Sequence, residues 1–194
     1  MRKLIVVSLF FVFCFVPLMV MAEHSAIDKG SIELGVGNVA ELSFYRGDNI
    51  LNGYWFTVGW PPGVTFGYFV IDRLMLGATL TVFSDKYETM TEADTELDVM
   101  PIVKYYYPIS EKFLINAKGY FGLYRYKDSS DPDNPFTRVR FGGGGAGTYM
   151  LIPQLGASIG MDFTYYSDYK VGGTKADDTS YVILGIILGL VVYL

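Results

Sequence analysis

The sequence predicts an all-β fold: an eight-stranded antiparallel transmembrane up-and-down β-barrel after a cleaved signal peptide. Three observations point there. Several segments alternate with period two between a greasy face and a mixed polar face. The connections between them alternate strictly between short and long. The last thirteen residues, VILGIILGLVVYL (Val182 to Leu194), are wholly apolar, too short for a spanning helix and rich in β-branched residues.

The elements follow in chain order. Arg2 and Lys3 make a positive start, Leu4 to Val16 is an apolar core, and Val20-Met21-Ala22 suits a signal peptidase cutting after Ala22. Residues 1–22 are therefore expected to be a signal peptide and 23–194 the barrel domain. The only cysteine, Cys14, leaves with the signal, so no disulfide or thiolate chemistry is expected. Phe13 ahead of Cys14 does not suit a lipoprotein signal. Without Arg2 and Lys3 the chain keeps 13 of its 15 basic residues against 20 acidic ones, a net −7, which argues against nucleic-acid binding. The composition is 51% hydrophobic with a mean hydropathy of +0.30, high for a soluble protein.

Eight strands are expected, roughly 31–45, 54–70, 73–85, 96–107, 112–126, 137–151, 155–167 and 180–194. Four of them carry the alternation most openly. Leu97, Val99, Val103, Tyr105 and Tyr107 alternate with Glu96, Asp98, Met100, Ile102, Lys104 and Tyr106. Ile115, Ala117, Gly119, Phe121 and Leu123 alternate with Asn116, Lys118, Tyr120, Gly122 and Tyr124. Leu155 to Tyr166 behaves likewise, and the last strand sets Val182, Leu184, Ile186, Leu188, Leu190, Val192 and Leu194 against Tyr181, Ile183, Gly185, Ile187, Gly189, Val191 and Tyr193. Such repetition marks strands with one lipid-facing and one lumen-facing side. Short links fall at Ile71-Asp72-Arg73, Pro108 to Glu111 and Ile152-Pro153-Gln154. Long links run from Arg46 to Gly53, Asp85 to Thr95, Lys127 to Pro135 and Ser167 to Thr179. Short turns at one end and long loops at the other are the outer-membrane plan, and closing the last strand on the first satisfies every backbone group in lipid.

Three stretches carry a resemblance. FGYFVIDRLMLGATL (Phe66 to Leu80), IVKYYYPISEKFLINAKGYFGL (Ile102 to Leu123) and GGGAGTYMLIPQLGASIGMDFTY (Gly143 to Tyr165) resemble successive hairpins of the small outer-membrane β-barrel domain family, the OmpA-, OmpX- and OmpW-like barrels. The end of the chain, with Gly189, Val192, Tyr193 and Leu194, resembles the insertion signal of that family. It departs in ending on Leu194 with the aromatic one place early. The resemblance implies a barrel of the cell outer membrane, in contact with lipid and lipopolysaccharide, with the barrel assembly machinery as its biogenesis partner. It implies no catalytic residue.

The inward faces hold Glu33, Glu41, Glu96, Asp98, Lys104, Lys118, Arg138, Arg140 and Asp162. Eight strands enclose little more than side-chain volume, and charges buried there must pair. The expectation is a lumen plugged by salt bridges. Gly142 to Gly145 lacks the GK[ST] continuation of a phosphate loop and reads as a strand whose missing side chains make room for Tyr120 and Tyr124. Tyr68, Tyr149 and Tyr105 to Tyr107 lie near the short turns. Tyr124, Tyr126, Tyr165, Tyr166 and Tyr169 lie near the long links. The two bands read as interfacial girdles. Two acidic clusters, Glu88, Glu92 and Asp94, and Asp128, Asp131 and Asp133, fit no EF-hand spacing and read as solvated loops loosely bridged by divalent ions to lipopolysaccharide.

Three roles follow. The first is a non-catalytic structural or surface-interaction barrel, monomeric and without cofactor or metal. The second is a narrow channel for small hydrophobic solutes, favoured by inward Ile183, Ile187 and Val191 and opposed by the inward charges. The third is a lipid A-modifying enzyme, opposed because the one histidine, His24, precedes the barrel and leaves no general base in it.

Overall fold

The structure is a computed structural model, and it describes residues 27–47, 53–58, 63–85, 93–129, 131, 133–171, 174–176 and 179–194. The proposed signal peptide, the cleavage site and His24 lie outside the described residues, as do Glu88 and Glu92. The strands are β1 (Ile32–Gly47), β2 (Gly53–Val58), β3 (Gly63–Ile71), β4 (Leu74–Asp85), β5 (Asp94–Ser110), β6 (Phe113–Lys127), β7 (Phe136–Ile152), β8 (Leu155–Tyr166), β9 (Lys170–Val171), β10 (Thr174–Lys175) and β11 (Tyr181–Tyr193).

Eight of these close a ring in which every neighbour is antiparallel: β1, β3, β4, β5, β6, β7, β8 and β11, with β11 returning to β1. The seam is fixed at its foot by two backbone bonds, Ile32 N–H to the Leu194 carbonyl and Leu194 N–H to the Ile32 carbonyl, each 2.8 Å. Along this path every strand has a neighbour on both sides, which is what hydrocarbon demands of a sheet, while β2 pairs with β1 alone among the described residues.

Two predicted spans are corrected. The span expected over 54–70 is split into β2, which pairs with Ala40 to Tyr45 of β1, and β3, which pairs with Ile32 to Gly37. Residues 59–62 between them lie outside the described residues. On the other flank of β1, the register with β11 shifts between Val36 and Ala40, so the two halves of β1 are offset against a continuous β11. The link expected from Ser167 to Thr179 carries a short ladder, β9 with β10, and β9 also joins the upper end of β7.

The alternation sets the wall. Leu76, Leu80, Val82, Val99, Val103, Phe121, Leu123, Phe141, Ile159, Met161, Phe163, Leu184 and Leu188 all point outward and are exposed. An apolar outer band of this extent suits lipid and is costly in water. The last strand departs from the pattern at its foot. Val192, expected on the lipid side, is buried where its ladder neighbours Leu34 and Leu155 flank it. The short turns are tight. Arg73 holds the left-handed region (φ 69°), a conformation in which most side chains are strained. It is held there from both sides: its N–H donates to the Ile27 carbonyl at 2.7 Å, and its carbonyl accepts from Tyr106 N–H at 2.8 Å.

Candidate functional site in the barrel lumen

The interior has three tiers, ordered by where their residues fall along the strands. At the short-turn end lies an apolar floor. Ile27, Phe69, Met75, Tyr106, Leu114, Met150 and Tyr193 are buried in one cluster. Phe69, Tyr106 and Tyr193 meet ring to ring, with centroids 5.5 to 6.4 Å apart. The segment before β1 folds across this floor. Gly30 N–H donates to the Phe69 carbonyl, Phe69 N–H to the Ser31 carbonyl, and Lys29 N–H to Asp72 Oδ1 at 2.9 Å. Met75, paired with Phe69 in the ladder, lies over Gly67 two places along β3, where a side chain would occupy its space.

Charges begin immediately above. Glu33 is fully buried, with Lys104 Nζ 2.5 Å from its Oε1 and the Tyr106 hydroxyl donating to its Oε2. The middle tier joins Lys118 to Asp162 at 2.6 Å and Arg140 to Asp98. Of the nine predicted lumen charges, the fold brings six into these three pairs. Each pair spans strands that are distant in sequence, so no residue spacing along the chain announces it.

Three charges stand outside the pairs. Glu41 Oε1 accepts a hydrogen bond from Ser43 Oγ. Glu96 faces the Tyr124 hydroxyl and the charge of Arg140. Arg138, in the upper tier, has an aromatic surround. Its guanidinium carbon lies 5.0 Å from the Tyr181 ring centroid, 5.3 Å from Phe136, 5.5 Å from Tyr169, 5.8 Å from Tyr166 and 5.9 Å from Tyr124. Here the two expected girdles need correction. Tyr124, Tyr166 and Tyr169 turn inward to this cation, and Tyr106 belongs to the floor. Tyr165 points outward and meets Phe141 at 5.1 Å, and Tyr68, Tyr105, Tyr107 and Tyr149 are exposed on the outer wall. Tyrosine enrichment near strand ends is common to an internal cluster and an external girdle, and only strand parity separates the two.

The glycine run of β7 lies beside this machinery. A Cβ at Gly142 would run into the Phe163 carbonyl oxygen and stand 2.9 Å from the Tyr120 hydroxyl oxygen and 3.0 Å from its ring, so this glycine makes room for the neighbouring strand as well as for Tyr120. The Tyr120 hydroxyl meets Thr164 Oγ1 at 2.6 Å. Gly144 makes the corresponding space for Asp162.

Between floor and upper tier lies a cavity of about 580 Å³. Its wall mixes threonine hydroxyls with the paired charges and with Ile183, Ile187 and Val191. Of the residues resembling an insertion signal, Gly189 packs against Ser158 and the backbone of Val36, Val192 and Tyr193 are buried, and Leu194 pairs its backbone with Ile32. Of the two acidic clusters, the described part forms no grouping of three ligating side chains suited to a metal ion. Asp94 is spent on the loop itself. Its Oδ1 accepts from Ser129 N–H at 2.7 Å and its Oδ2 from the Tyr126 hydroxyl at 3.1 Å.

No family model and no curated protein matches the sequence. Solved structures do match. Neisserial surface protein A shares 15% identity over 84% of this chain and 99% of its own, with a TM-score of 0.60. OprG of Pseudomonas aeruginosa shares 13% over 89% of this chain and 99% of its own (TM-score 0.47). Ail, the attachment invasion locus protein of Yersinia pestis, shares 12% over 86% and 99% (TM-score 0.44). At 15% identity the likeness to Neisserial surface protein A speaks for architecture alone, and it agrees with the closed ring and the greasy outer face: the chain has the fold of the small outer-membrane β-barrels.

Proposed function

We propose that this chain is a non-catalytic barrel of the Gram-negative outer membrane, closed to through-flow and serving envelope structure or surface contact. The observation that carries the reading is the floor. Ile27, Phe69, Tyr106 and Tyr193 fill the short-turn end, the periplasmic end on the outer-membrane plan, and Glu33 with Lys104 lies directly above. An ion crossing the lumen would have to displace packed rings and then break a buried ion pair, either of which is costly. No histidine falls within the sequence of the described strands, so they offer no imidazole as a general base, which supports the non-catalytic part. Pure protein in planar bilayers is expected to show no steady conductance. A stable, large single-channel current would overturn the closed-lumen reading.

A second reading has its own observation. Ile183, Ile187 and Val191 line the cavity on the seam strand, where the register of β1 shifts. This favours a narrow path for small apolar solutes. Uptake of such solutes into liposomes carrying the barrel, above the rate of empty liposomes, would replace the first reading with this one.

A further inference from the structure

We infer that the outer wall carries a docking site for a phosphorylated lipid of the outer leaflet, formed by Arg125, Thr137 and Lys170. The inference deepens the surface-contact part of the function proposed above. It rests on the membrane placement of the barrel and is independent of what the lumen holds.

The outward face of the wall is nearly devoid of charge. Among the described residues of β1 to β8 and β11, the outward positions hold only Arg46, Arg125 and Lys127, although the chain has 20 acidic residues against 15 basic ones. All three are basic, and all three stand at the long-connection end. Depth fixes the level of Arg125. On β6 the outward residues Phe113, Ile115, Ala117, Gly119, Phe121 and Leu123 are uncharged. Their stretch matches the roughly 9–11 residues that a tilted strand needs to cross hydrocarbon, and Arg125 is the next outward residue. On β7 the outward positions from Tyr149 up to Val139 are likewise uncharged, and Thr137 is next. Arg125 and Thr137 are partners in the ladder, so both strands reach the upper margin of the membrane together.

The register supplies the third member. β9 joins β7 above the last partner of β8 on that strand, Arg140, and sets Lys170 opposite Thr137. Directly paired residues share one face of a sheet, so Arg125, Thr137 and Lys170 form one outward row across three strands. All three are exposed. The ends of the row are two strand spacings apart, roughly 10 Å, within reach of two long side chains closing on one phosphate with a hydroxyl between them. Among the described residues, neither Arg125 nor Lys170 joins an ion pair. Directly beneath, Leu123 and Val139 pair with each other and are 65% and 47% exposed. A free phosphate would engage the row alone. A phospholipid-like guest engages the row with its headgroup and the apolar wall below with its acyl chains, so the lipid is the occupant. The acids of this region, Asp128, Asp131 and Asp133, fall beyond the strand ends in the connection from β6 to β7, further from the hydrocarbon than Arg125.

The test is an NMR titration of the ¹⁵N-labelled folded barrel in phosphatidylcholine nanodiscs that carry rising fractions of diphosphorylated lipid A. A chelator is present throughout, which removes bridging of the acidic loops by divalent ions. Saturable shifts centred on Arg125, Thr137 and Lys170 are expected. Arg125→Gln and Lys170→Gln should each raise the half-saturating fraction about fivefold, the worth of one basic residue near an anionic surface. Lys112→Gln, an exposed cation at the short-turn end, should leave it unchanged. The proposal is overturned if no shifts appear, if dephosphorylated lipid A gives the same shifts, or if inorganic phosphate does. It is equally overturned if phosphatidylglycerol at equal charge reproduces them, or if Lys112→Gln acts as strongly as the other two. Heat-dependent mobility on SDS gels checks the fold of each variant. A barrel that passes this check without responding to lipid A refutes the site, whereas a wild-type chain that fails it refutes the membrane barrel itself.

Discussion

Glu33 is fully buried and holds two donors, Lys104 Nζ and the Tyr106 hydroxyl. The pair is worth less in itself than its disruption costs, because removing one partner strands a charge in a medium that cannot solvate it. Lys104→Met should lower stability by about 3–5 kcal/mol, read as a shifted urea midpoint in lipid vesicles. The double variant Glu33→Gln with Lys104→Met should recover much of that loss, since it leaves no lone charge. Gly142 offers the steric counterpart. Gly142→Val drives its Cβ against the Phe163 carbonyl and its methyl groups into the Tyr120 ring, and should cost about 3 kcal/mol or more by the same assay. Phe121→Leu, on the outer wall, should be nearly silent. The inward direction of all nine charges was legible from period two alone. Which charge meets which was not: Lys118 and Asp162 face each other across strands whose relative height is set by the stagger of the barrel, and no local pattern records it.

At the scale of elements, β5 and β7 each run 17 residues, well beyond the roughly 9–11 that a tilted strand needs to cross hydrocarbon. Their upper ends therefore stand clear of the membrane, and the Asp94–Ser129 contact belongs to that protruding part. The Ser129 backbone N–H, more than the Ser129 hydroxyl or Tyr126, holds the Asp94 carboxyl below its ordinary value of 3.8. Burial, and then the bond to Asp94, push the Tyr126 phenol up to about 12. A carboxyl whose pKa falls on folding stabilises the loop above its unfolded pKa, and that contribution is lost as pH drops through the folded value. The Ser129 amide resonance should therefore stay constant at neutral pH and titrate with a midpoint below 3.8. It should not titrate in Asp94→Asn. The strands were readable because lipid and lumen impose opposite demands on alternate residues. The division of the 54–70 span and the β9–β10 ladder were not readable, since both arise from pairing with distant strands. The tyrosines near the loops misled for a related reason: a ring at a strand end suits an interface or a cation, and Arg138 claims Tyr124 and Tyr166.

The molecule as a whole is a closed ring with a packed floor, and neither feature is divisible. Losing one strand leaves two edges, and SDS does not open a closed ladder easily. The purified barrel should migrate anomalously on SDS gels when unheated and shift on boiling. A mobility unaffected by heating would contradict the closed ring. The apolar outer band and the greasy last strand made this architecture the most legible property of the sequence. The floor was not foreseen, because the expected plug was made of ion pairs and Ile27 lies before the first strand.

The seam has a kinetic consequence. β1 and β11 are the ring strands farthest apart along the chain, yet they share a ladder from Glu33 with Tyr193 to Gly47 with Tyr181. Every other neighbour in the ring joins strands consecutive along the wall, so those ladders can form as local hairpins. The seam alone must wait for the two ends of the sheet to meet, at the largest loop-closure entropy the fold contains. Refolding is therefore paced by this one meeting, and until it happens the chain is a curved sheet with two unsatisfied edges and its greasiest strand on one of them.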